Sequence, residues 1–179
     1  RRIPQAADAY EKGLSLNVMS KAYGLPGLRV GWIASQDKDV LQAMERYKHY
    51  LSICNSAPSE RLAVIALGVR DQLLARIHNL MQSNVEKLEA FFARYPELFA
   101  WQRPHGGCIA FPRFLGSEGV ETFCKDLIDQ TGVLLLPASI YRSELMDAPT
   151  DRFRVGFGRA GIGEGLAVFD DYLQHQRVD

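Results

Sequence analysis

The residues best placed to do chemistry lie on either side of a glycine-rich stretch: Ser20-Lys21-Ala22-Tyr23-Gly24-Leu25-Pro26-Gly27-Leu28-Arg29. Lys21 ends an apolar segment, with Val18, Met19 and Leu25 close by in sequence. A lysine held among apolar groups sheds hydration, which disfavours its ammonium form. A neutral amine can attack an aldehyde and hold it as a Schiff base. The glycines let backbone amides approach a bulky anion closely. Arg29 adds a permanent charge on a planar fork suited to phosphate. An amine for an aldehyde and a guanidinium for a phosphate together fit pyridoxal 5′-phosphate. The same residues also allow a structural reading, in which Lys21 snorkels from a strand end and Arg29 pairs with a carboxylate.

Other patterns carry less. Residues 156–161 read Gly-Phe-Gly-Arg-Ala-Gly, a G-x-G-x-x-G between a strand and a helix, which is the setting of a dinucleotide-binding turn. The sequence after Gly161 lacks the second strand and the ribose-binding acid of such a unit, so these glycines are read as a tight turn. Ser35 and Lys38 form an S-x-x-K with neither S-D-N nor K-T-G beside it. His105-Gly106-Gly107 has the composition of an esterase oxyanion loop, yet no G-x-S-x-G elbow is present to use it. Cys54, Cys108 and Cys124 are odd in number and widely spaced, and are read as buried free thiols of a reducing, cytoplasmic setting. The histidines fall in no metal-ligand spacing, so no metal is expected.

The elements that must position Lys21 and Arg29 are short. Residues 13–19 and 28–35 predict two buried strands around the turn Ala22-Tyr23-Gly24-Leu25-Pro26-Gly27. Asp37 is a predicted N-cap, and Val40, Leu41, Met44, Tyr47 and Leu51 give the following helix an apolar face. A loop at 55–59 precedes a helix over roughly 60–69. From Asp71 to Tyr95 apolar residues recur every three or four positions, which predicts a long amphipathic helix closed by Pro96. Beyond it, strand candidates at 100–103, 107–112, 133–136 and 153–157 alternate with helices near 118–130 and 163–175. Gly132 is placed to end the first of these helices, and 137–152 reads as a long polar loop.

The sequence has 179 residues, 47% of them hydrophobic and 23% charged, which excludes disordered and collagen-like classes. Its 21 basic and 21 acidic residues balance, leaving no electrostatic footprint for nucleic acid or an anionic membrane surface. No apolar run approaches the roughly 18 residues needed to span a bilayer. No apolar stretch follows the two opening arginines, so no signal peptide is expected. An opening residue other than methionine suggests a piece of a longer protein.

The stretch Ser20–Trp32, SKAYGLPGLRVGW, resembles the cofactor-lysine signature of the class I/II aminotransferases, the fold-type-I pyridoxal-phosphate enzymes. The match includes the lysine, the Gly-Leu pair after it, the arginine and the following glycine. By that resemblance Lys21 carries the Schiff base and acts as catalytic base, while Arg29 and Ser20 hold the cofactor phosphate. Many relatives have a serine three residues before the lysine, where this chain has Val18. Residues 54–59, CNSAPS, resemble the family loop that reaches toward the neighbouring subunit's cofactor, which makes Asn55 a candidate contact. PHGGCIAFP at 104–112 resembles the family's Gly-Gly strand near the substrate, and Cys108, Ile109 and Tyr141 are the residues expected to line the pocket. FRVGFG at 153–158 resembles the late strand bearing the arginine that grips the substrate α-carboxylate. That residue would be Arg154, with Arg152 and Arg159 as competitors.

The resemblance covers essentially the whole chain but only the carboxy-terminal half of a family member. It implies an α/β fold: the end of the large cofactor domain over 1–70, then a long connecting helix and a small α+β domain over 71–179. The upstream half would supply the aspartate at the pyridine nitrogen and a tyrosine at the ring oxygen. Asp8 and Tyr10 lie too near Lys21, and at the wrong spacing, to stand in for them. The implied activity is transamination between amino-acid and keto-acid substrates, in a homodimer that includes the upstream half of the same enzyme. Elimination, cyclisation or oxidation on the same scaffold is the alternative, and so is a non-catalytic structural or dimerisation fragment.

Overall fold

A computed structural model describes residues 3–176. They form two compact units, one ending at Ile77 and one beginning at His78. The division falls inside a single helix, α4 (Arg70–Phe92).

The first unit is built on an antiparallel pair, β1 (Ser15–Val18) and β2 (Gly31–Ala34), in the register Ser15 opposite Ala34 and Val18 opposite Gly31. The pairing continues one step toward the turn, where Met19 N–H donates to the Val30 carbonyl at 3.0 Å. A one-turn helix, α1 (Ala6–Ala9), is tied to the open end of the pair. Ala7 N–H donates to Ser15 Oγ at 3.0 Å, and Gln36 Nε2 donates to the Ala7 carbonyl at 2.7 Å.

Asp37 caps α2 (Lys38–Leu51), its carboxylate accepting from Val40 N–H at 3.0 Å. That bond satisfies one of the amides a helix start leaves unpaired, as the sequence predicts. The apolar face expected on α2 is only partly covered: Val40, Leu41 and Met44 are half-buried, while Tyr47 and Leu51 are each 66% exposed. α3 (Ala57–Gly68) begins earlier than the spacing suggests because Pro58 occupies its first turn. Proline suits that position, where its missing N–H is not needed. Ala63 and Ala66 of α3 close over the fully buried Met19, with Tyr23, Leu25, Leu28 and Leu73 around them.

The second unit carries the larger core. β7 (Phe153–Gly156) is central between β4 (Ile109–Ala110) and β6 (Leu136–Pro137), antiparallel to both. A second pair joins β3 (Phe99–Ala100) to β5 (Arg113–Phe114). The helices α5 (Val120–Thr131) and α6 (Ile162–Gln176) complete it. Phe91, Phe92, Phe99, Phe114, Phe123, Phe153 and Phe169 pack as one aromatic cluster, with Leu88 and Leu127 wholly buried among them. The Phe114 and Phe123 rings stack at 4.2 Å, and Phe91 meets Phe169 at 4.8 Å. Burying each such side chain contributes on the order of 1.5–3 kcal/mol, which is what holds strands only two residues long.

Gly132 ends α5 in the left-handed conformation at φ 75°, donating its N–H to the Ile128 carbonyl at 2.9 Å. Strand β5 was not among the predicted elements, and the predicted strands 100–103 and 107–112 each contract to two residues. The loop 137–152 contains a 3-10 turn over Ala138–Tyr141. Among the described residues, no helix is long and apolar enough to cross a membrane.

Candidate functional site

Ser20, Lys21 and Arg29 sit on one turn between β1 and β2. The turn is built by three devices. The Met19–Val30 bond closes its base, and the Leu25 N–H donates back to the Met19 carbonyl at 3.0 Å. A tight bend follows, with Gly24 N–H donating to the Lys21 carbonyl at 3.0 Å and Gly24 at φ 67°. A 3-10 turn over Pro26–Leu28 then leads into Arg29, itself left-handed at φ 54°. A non-glycine residue in that region is unfavourable unless its surroundings hold it. Here the Arg29 side chain returns to its own turn, Nη1 donating to the Pro26 carbonyl at 3.1 Å.

Met19 anchors this turn in the core. Ser20 is half-buried, whereas Lys21 and Arg29 are exposed. The desolvation expected at Lys21 from Val18, Met19 and Leu25 is therefore not supplied by these neighbours. Met19 alone turns fully inward, and Lys21 lies past the strand end, in the turn. Among the described residues the rest of the Arg29 fork meets no acceptor, which also departs from the structural reading of an arginine paired with a carboxylate.

Asn55 lies between α2 and α3 in the same unit, half-buried. Its Oδ1 accepts from Lys48 Nζ at 3.1 Å, and its Nδ2 donates to Glu60 Oε1 at 2.9 Å. Arg154 belongs to the second unit, on β7 opposite Leu136. It is half-buried, and its Nη1 donates to the Tyr141 hydroxyl at 3.0 Å. The competitors of Arg154 differ from it in their bonding. Arg152 Nη1 donates to the Phe111 carbonyl at 2.9 Å, so that guanidinium braces backbone. Arg159 is exposed, and its carbonyl is held from α4.

That last contact comes from Asn84, a residue the sequence reading missed. Asn84 is 2% exposed, and its Nδ2 donates to the Phe157 carbonyl at 2.9 Å and the Arg159 carbonyl at 2.7 Å. It pins the chain just after the strand that carries Arg154. The signal was a polar residue within the apolar stripe of α4, between Met81 and Leu88. A buried amide in such a place needs partners.

The thiols also divide differently from expectation. Only Cys124 is buried; Cys108 is half-buried and Cys54 exposed, and all three are free.

Residues 3–164 match the family described as aminotransferase class I and II. The chain belongs to that family. It is 32% identical over 165 residues to capreomycidine synthase of Streptomyces vinaceus, covering 91% of this chain and 41% of that protein. Among solved structures, a PLP-dependent aminotransferase from Streptococcus suis 89-1591 superposes with a TM-score of 0.84 at 27% identity, over 97% of this chain and 45% of that one. A PLP-dependent cyclase, OrfR, superposes with a TM-score of 0.78 at 28% identity, over 91% of this chain and 43% of that one. The chain thus spans less than half the length of these relatives.

Pyridoxal 5′-phosphate is the cofactor of the family. The donor set on the first unit's turn fits that group. An exposed primary amine suits the aldehyde, and a hydroxyl beside it with a largely unengaged guanidinium suits the phosphate dianion.

Proposed function

We propose that the chain is about half of a pyridoxal-phosphate-dependent aminotransferase that acts on an amino acid through Lys21. The observation carrying this reading is that one closed turn presents Ser20, Lys21 and Arg29 together, with Lys21 and Arg29 open to a ligand. Lys21 is the amine that holds the cofactor aldehyde. Ser20 and Arg29 hold its phosphate, one by a hydroxyl and the other by a charged fork. Asn55 is a further cofactor contact. Arg154 binds the substrate α-carboxylate, for which a bidentate guanidinium is the best-matched partner.

The cofactor, when bound, supplies an electron sink for charge developing at the substrate Cα. With the cofactor bound, Lys21 would be the general base that takes the proton from the substrate Cα. This chain leaves Lys21 exposed, so whatever covers it in the working enzyme comes from outside residues 3–176. The large cofactor domain is assigned to residues 1–70, the connecting helix and small domain to 71–179, and the working enzyme to a homodimer.

A second reading is cyclisation of an amino acid on the same scaffold, favoured by the likeness to capreomycidine synthase and to the cyclase OrfR. Product analysis on the whole enzyme separates the readings. Transamination yields a keto acid and consumes an amino acceptor, whereas cyclisation yields a ring compound and leaves the acceptor unchanged. In either case Lys21→Ala is expected to remove turnover by at least about a thousandfold, as loss of a nucleophile and general base together. Substantial activity retained in that variant contradicts the role given to Lys21.

A further inference from the structure

Tyr141 and Arg154 come from different segments and meet through a single hydrogen bond. Arg154 is fixed by β7, where it faces Leu136 of β6. Tyr141 is fixed by the 3-10 turn that follows β6 directly. That turn is anchored by Ala138, which is fully buried and donates its N–H to the Arg152 carbonyl at 2.8 Å. The Tyr141 ring also packs edge-on against Phe111 at 6.4 Å. Both side chains therefore hang from one strand pair, and Arg154 Nη1 reaches the Tyr141 oxygen at 3.0 Å.

The direction of that bond decides what the hydroxyl can do next. Arginine only donates, so the tyrosine oxygen accepts and its own O–H proton is left to donate elsewhere. Among the described residues no acceptor takes it. The bond engages one N–H of the fork, leaving a parallel pair of N–H groups for a carboxylate. Tyr141 remains 46% exposed, so the hydroxyl is open to a ligand. A carboxylate seated on Arg154 would thus find a further donor beside the guanidinium.

We propose that Tyr141 is part of the substrate-carboxylate site, orienting the Arg154 fork through the accepted hydrogen bond and donating its own O–H to the bound carboxylate. The inference rests on the reading of Arg154 as the carboxylate-binding residue. The pair selects substrates with a free α-carboxylate, because an amide in its place would set an N–H against donors that need an acceptor. The carboxylate is held alike before and during the reaction, so Tyr141 acts on binding and leaves the chemical step alone.

The test is steady-state kinetics of the whole enzyme carrying this chain, with the best substrate from a panel of L-amino acids and with that amino acid's α-carboxamide. Tyr141→Phe keeps the ring and its contact with Phe111 and removes only the hydroxyl. It is expected to raise KM for the amino acid roughly 10- to 100-fold, the range for a hydrogen bond to a charged group. It is expected to leave kcat within about threefold, as for loss of uniform binding. The α-carboxamide is expected to react equally with both proteins. Arg154→Ala, run alongside, is expected to raise KM as well. An unchanged KM in Tyr141→Phe beside a raised KM in Arg154→Ala overturns the proposal while the carboxylate reading stands. An unchanged KM in both overturns the reading of Arg154 and the proposal with it. A fall in kcat alone in Tyr141→Phe also overturns it, since the hydroxyl would then act on chemistry.

Discussion

Cys124 and Cys54 show how one residue type takes different chemistry from its place. Cys124 is buried in α5, and burial, with Glu121 nearby, pushes its thiol up to about 12. Removing the proton there would place a charge in the aromatic core. A thiol raised above its unfolded value of about 8.5 stabilises the fold fully below that pH, and the contribution fades as pH rises toward the folded value. Burial raises Tyr95 and Tyr172 as well, so these groups share the same alkaline limb of stability. We predict that iodoacetamide at pH 7.5 alkylates Cys54 in the native chain and leaves Cys124 unmodified until the chain is unfolded. Equal rates at the two thiols, read by peptide mass, would contradict the burial of Cys124. The residue types on the turn that carries Ser20, Lys21 and Arg29 were legible from the sequence because the stretch is contiguous. The exposure of Lys21 was not, since hydration depends on what covers a side chain in space. Asn84 was missed for a related reason: the carbonyls it holds lie 73 and 75 residues away.

At the scale of elements, the turn depends on Gly24. It sits at φ 67°, and a Cβ placed there would lie 2.5 Å from Ile77 Cδ1. The left-handed conformation alone costs a residue with a Cβ about 1–2 kcal/mol, and the clash adds to it. Gly27, in the 3-10 turn of the same loop, has nothing within 4 Å of a Cβ. Gly24→Ala is therefore expected to destabilise the first unit by at least about 1–2 kcal/mol in denaturant unfolding, with Gly27→Ala close to neutral. Equal effects from the two substitutions would mean that the bend does not constrain the turn. Helix α4 was readable because 23 residues of amphipathic repeat leave little room for another structure. The strands of the second unit were harder: most are two residues long, and β5 follows directly after Pro112. Their positions are set by the aromatic side chains beneath them, which a local pattern cannot reveal.

On the scale of the whole molecule, the two units differ in how fully they bury themselves. The second has an extensive core, whereas the first leaves Tyr47, Tyr50, Leu51, Ile53, Val64 and Ile65 more than half exposed. Apolar surface of this extent is what an interface presents. It accords with the proposal that the chain is about half of an enzyme and spans less than half the length of its relatives. Of the residues proposed for the site, Ser20, Lys21, Arg29 and Asn55 belong to the first unit and Arg154 to the second. The central claim is that Lys21 is the cofactor-holding amine. It is tested most directly by reducing the whole, cofactor-loaded enzyme with borohydride and mapping the labelled peptide. The expected result is one pyridoxyl group per chain, on Lys21; a stoichiometric label on any other lysine would contradict the account.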